Sequence, residues 1–119
     1  MATAVKRKLS GSTDGRGIKV AATASAGTTI HTAVAGTTAG TFDEVWLYAY
    51  NSDSVARLLT IEFGGTTAPD DTIKVSVASQ SGLMLVVPGL ILQNGSVVKA
   101  YAAAANVVTI QGFVNAITD

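Results

Sequence analysis

The 119-residue chain has no cysteine, which rules out a disulfide scaffold, thiolate metal sites and a cysteine nucleophile. It has one histidine, His31, so a His-rich zinc site or a familiar catalytic triad lacks partners. Charge is scarce as well: charged residues make up 13%, about half the share usual in a soluble domain. Long apolar runs are also missing. Val20–Phe42, Val75–Val98 and Ala100–Thr118 contain no Asp, Glu, Lys or Arg, but the first and last are diluted with small polar residues. The densest run, LMLVVPGLIL from Leu83 to Leu92, covers only about half a bilayer and is interrupted by Pro88-Gly89. The basic start continues into LSGSTDGRG rather than an apolar stretch, so it does not read as a secretory leader. No membrane partner is expected; the chain should be soluble, or become so by assembling.

What charge there is lies unevenly. Residues 1–19 carry Lys6, Arg7, Lys8, Arg16 and Lys19 against Asp14, whereas residues 20–119 carry three cations against seven carboxylates. The formal total of zero therefore divides into +4 and −4. This predicts a basic N-terminal arm or first strand over 1–19, reaching an acidic neighbour, ahead of a mildly acidic domain over 20–119. A solvated terminus is the plainer alternative. Three adjacent basic residues without aromatic interleaving are too little for a nucleic-acid site, and none is expected.

The body reads as strand after strand. Thr and Val, 15 and 14 residues, are β-branched, and Gly falls mostly between apolar runs. Residues 43–50 place Val45, Leu47 and Ala49 on one face. Residues 55–63 alternate Leu59, Ile61 and Phe63 against Leu58, Thr60 and Glu62, and Asn51–Ser54 between the two predicts a hairpin. Strands follow over 72–78, 83–87, 90–92, 96–102 and 107–117, with Asn94-Gly95 the strongest short hairpin signal. Weaker strand signals cover 6–9, 18–22 and 28–34. The alanines 102–105 are too few for a helix and read as a bend. About seven or eight antiparallel strands predict an all-β sandwich, jelly-roll-like, with an extended N-terminal segment.

Trp46, Tyr48 and Tyr50, spaced i, i+2, i+4, form the most informative feature, because a strand points all three to one side. The opposite side is apolar too. Since a two-sheet domain normally buries one face of each sheet, the second face argues for an oligomer or docking surface. Core packing and a sugar-stacking platform are the rival readings. Asp43-Glu44 and Asp70-Asp71 are adjacent pairs whose side chains diverge in a strand; both read as solvated or turn carboxylates, not a glycosidase pair. His31, alternating in a Thr-rich segment, reads as a surface residue. GSTDGRG over 11–17 lacks the setting and the Lys-Ser/Thr ending of a phosphate loop, and Asn94-Gly95-Ser96 is explained by its turn rather than by glycosylation. No catalytic residue, metal site or cofactor is expected, and the chain reads as a non-enzyme.

The phrases TIEFGGTTAPDD (60–71), VVPGL (86–90) and NVVTIQGFVNAIT (106–118) resemble small β-sandwich structural proteins of tailed bacteriophage virions. The similarity spans roughly residues 28–118 and carries no catalytic motif. It implies a head decoration or cement protein, homo-oligomeric with a trimer favoured, made in the host cytoplasm and held on the capsid surface by the major capsid protein. The basic residues Lys6, Arg7, Lys8, Arg16 and Lys19 would be its capsid-contacting arm. Tail and neck positions stay open, as does a carbohydrate- or receptor-binding module of a tail or fibre.

Overall fold

The structure, a computed structural model, describes residues 2–119. Its strands are β1 (Thr3–Lys8), β2 (Ile18–Lys19), β3 (Thr28–Thr32), β4 (Phe42–Asn51), β5 (Arg57–Phe63), β6 (Thr72–Val77), β7 (Met84–Leu92), β8 (Val97–Ala102) and β9 (Val108–Thr118). They form two antiparallel sheets and no helix among the described residues. The first sheet runs β1-β9-β4-β7, with β2 also on β9; the second runs β3-β8-β5-β6. This is the all-β sandwich that the alternation predicts.

Period-two patterning sets the layers. Along β4 the residues alternate without exception between half-buried and buried, and Val45, Leu47 and Ala49 lose all exposure. They meet Ile110 and Val114 of β9, Val87 of β7, and Ile30, Leu59, Ile61 and Val98 of the second sheet in one core. Each such aliphatic side chain contributes about 1.5–3 kcal/mol by leaving water. The side between β1 and β3 is closed by the chain itself: Leu9 is buried, and Gly11 N–H donates to the Ile30 carbonyl at 2.9 Å before the chain returns as β2. Residues 25–27 cover part of the second sheet's far face. There Glu62, 1% exposed, accepts from Ser25 Oγ at 2.5 Å and from Gly27 N at 2.7 Å.

Several local expectations are corrected. β4 and β5 do not form a hairpin: β4 pairs with β7 and β9, while β5 pairs with β6 and β8. The turn between them is a corner from one sheet to the other. Fully buried Asn51 fixes it, donating from Nδ2 to the Val55 and Val77 carbonyls and accepting the Asp53 N–H at Oδ1. Asn94-Gly95 takes the positive φ values of its turn type, 63° and 65°, yet it too joins different sheets. Its N–H groups donate to the carbonyls of Gly36 and Val34, so loop 33–41 takes the place of a partner strand. Pro88-Gly89 does not end a strand either. It lies within β7, which absorbs it by register shifts on either side of Trp46 and Leu47.

Candidate functional site: the outer face of the first sheet

Register decides what shares the outer face. Trp46 lies opposite Phe113, Tyr48 opposite Gln111, Tyr50 opposite Thr109 and Glu44 opposite Asn115. The aromatic row therefore points away from the core, with all three rings half-buried. The Trp46 and Phe113 rings are nearly parallel, 16° apart with centroids separated by 6.2 Å. On the other side the indole covers Gly89, where φ is +76° and a Cβ would come within 2.7 Å of Trp46 Cζ2. Glycine is what allows Trp46 to lie across the sheet. Glu44 Oε1 accepts from Trp46 Nε1 at 2.7 Å and from Asn115 Nδ2 at 3.0 Å. Those two bonds, the Asn115 one foremost, hold the Glu44 carboxyl below its ordinary range.

The β7 border of this face is apolar and open. Leu85 and Ile91, in register with Tyr48 and Glu44, are 45% and 58% exposed. Leu83, just before the strand, is exposed as well, while Met84 and Leu90, opposite the inward-facing Ala49 and Val45, are exposed on the other side of β7.

The opposite border is basic. Residues 3–8 are a strand hydrogen-bonded along its length to β9. Lys8 lies opposite Phe113 and Lys6 opposite Asn115, so both belong to the outer face, and Lys6 Nζ stands 4.5 Å from the Phe113 ring centroid. Lys19, opposite Thr109, continues the column on β2. Arg16 joins it across a cleft of about 680 Å³ lined also by Lys19, Thr109 and Gln111. Arg7 alone turns the other way, opposite Val114. The meeting of Lys6, Phe113 and Trp46 escapes sequence reasoning because three distant segments supply it. The i, i+2 spacing of Gln111, Phe113 and Asn115 marks a shared face but gives no register.

Arg7 and Lys8 also border a second cleft, about 590 Å³, with Ser10, His31, Asp43 and the apolar Phe42, Ala116 and Ile117. Two expectations fail here. His31 is 4% exposed and Asp43 6%, neither of them solvated, because together they bridge the sheets: His31 Nε2 and Asp43 Oδ2 are 2.7 Å apart. Ser10 N–H donates to His31 Nδ1 at 3.0 Å, so Nδ1 is an acceptor and Nε2 carries the proton given to Asp43. Asp43 takes the Val34 N–H as well. Ser10, His31 and Asp43 are the residue types of a hydrolase triad, but the geometry is not one. The Ser10 hydroxyl accepts from Thr32 N at 2.7 Å, and both ring nitrogens are committed elsewhere. The arrangement ties two sheets together and leaves no general base.

No family model matches the chain, and no curated protein or solved structure matches it.

Proposed function

We propose that the chain is a non-enzymatic structural protein of a tailed-bacteriophage virion, a decoration or cement protein whose homo-oligomer, a trimer favoured, bridges neighbouring copies of the major capsid protein. The observation that carries this reading is the β7 border: Leu85 and Ile91 are exposed on the outer face of an edge strand, Met84 and Leu90 on its other side and Leu83 just before it, in a stretch of 24 residues, 75–98, without charge. Large apolar side chains gathered along one exposed edge normally mark a contact site. Pro88 and the two register shifts break the ladder along that edge, so the contact is side-chain packing rather than unlimited strand addition. Avidity supplies the binding, each oligomer adding several modest contacts to one lattice. The β1 strand, exposed and basic, supplies the contact with acidic surface that a free arm would otherwise make.

A second reading, a carbohydrate- or receptor-binding module of a tail or fibre, is favoured by one observation. Gln111 flanks Tyr48, and Asn115 with Glu44 flanks Trp46, placing hydrogen-bonding groups beside aromatic rings.

A cryo-EM map of the particle that encodes the chain separates the two. The expected result is trimeric density on the head surface. Density confined to the tail tip would replace the first reading by the second, and particles without the chain would overturn both.

A further inference from the structure

The β7 border leaves the other half of the same face unused, and its residues form two parallel columns. Trp46, Tyr48 and Tyr50 stand along β4, each step about 6.8 Å. Lys6 and Lys8 on β1, then Arg16 and Lys19 beside β9, form a cationic column about 10 Å away, two strands across the sheet. Phe113, Gln111 and Thr109 fill the strip between. The two ion pairs among the described residues are His31–Asp43 and Arg57–Asp53, so none of these four cations is paired with a carboxylate. The acidic groups near them are Glu44, engaged by Trp46 and Asn115, and Asp14 in the loop before Arg16.

We infer that this half of the face binds single-stranded nucleic acid, with bases stacking on the β4 aromatics and phosphates running along the Lys6–Lys8–Arg16–Lys19 column. The sequence argued against such a site because its basic residues lack interleaved aromatics. The fold supplies the interleaving, setting Lys6 over Phe113 and Phe113 beside Trp46. An aromatic platform beside a cationic track is how proteins hold a single strand without reading its sequence. The step along each column is comparable with that between neighbouring phosphates of an extended strand. Lysines on an edge strand also discourage unwanted strand pairing, but that role needs no aromatic row beside them. The inference is independent of assembly at β7.

The test is fluorescence anisotropy with labelled oligothymidylate and oligouridylate of ~15 nucleotides, a length within the range single-strand sites cover. Trp46, the one tryptophan, gives a second signal. Both probes should bind at low salt, quench Trp46, and lose affinity with a log–log salt slope of about −2 to −3, as three or four neutralised phosphates require. Lys6→Glu/Lys8→Glu/Lys19→Glu should weaken binding at least tenfold and flatten the slope. Tyr48→Ser should weaken it severalfold at unchanged slope, and Lys74→Glu, on the second sheet, should leave it alone. Absence of binding at low salt would overturn the inference. So would equal binding of polyglutamate, or binding indifferent to both the triple variant and Tyr48→Ser.

Discussion

Gly112→Ala is expected to destabilise the protein by more than about 3 kcal/mol, enough to leave much of it unfolded on expression. Gly112 sits in β9 opposite Leu47 of β4, in the middle of the first sheet. A Cβ there would strike the Trp46 carbonyl oxygen, a backbone atom held by the neighbouring strand, and would also meet Leu47 Cα at 3.1 Å. Relief would require β4 and β9 to part where they carry Val45, Leu47, Ile110 and Val114 into the core. Gly15→Ala is the control, since φ there is +82° but nothing lies within 4 Å of the added methyl. It should cost only the left-handed backbone penalty, about 1–2 kcal/mol. Urea titrations of the two variants check this; similar midpoints would show that the close approach at Gly112 does not constrain the sheet.

Asp43→Ala should cost about 3 kcal/mol, lowering Tm by roughly 10 °C. The carboxylate takes two hydrogens, from His31 Nε2 and Val34 N, and both it and the imidazole are almost wholly buried. Alanine leaves two donors unpaired between the sheets, whereas Asp43→Asn retains an acceptor oxygen and should lose about half as much. Combining Asp43→Ala with His31→Phe removes the stranded imidazole together with its partner, so the double variant should be more stable than Asp43→Ala alone. Thermal melts monitored by circular dichroism decide it. Equal melting of Asp43→Ala and wild type would mean the bridge does not hold the sheets.

The fold class was legible because burial follows alternation, and alternation is written in the chain: Val45, Leu47, Ala49 on one side and Trp46, Tyr48, Tyr50 on the other. Strand partners were not. Asn51–Ser54 and Asn94-Gly95 have the turn chemistry of hairpins, but turn chemistry fixes only a reversal; which sheet receives the next strand depends on distant segments such as Val34 and Gly36. His31 misled for a related reason. Its neighbours Thr29 and Thr32 are exposed, but a register shift between Thr29 and His31 brings Ile30 and His31 both inside. The Trp46 row was visible as a face without a known orientation. Its lysine border was not visible, because Lys6 and Lys8 reach Phe113 only through the pairing of the first strand with the last.

The proposed assembly requires the β7 border to be covered by other copies of the chain. Sedimentation equilibrium measures this directly, on the wild type and on Leu85→Lys/Ile91→Lys, which places charge on exposed positions without entering the core. The wild type should sediment as three protomers of 12.0 kDa, and the double variant as a folded monomer. A wild type that stays monomeric at every concentration, or a double variant that assembles as before, would contradict it.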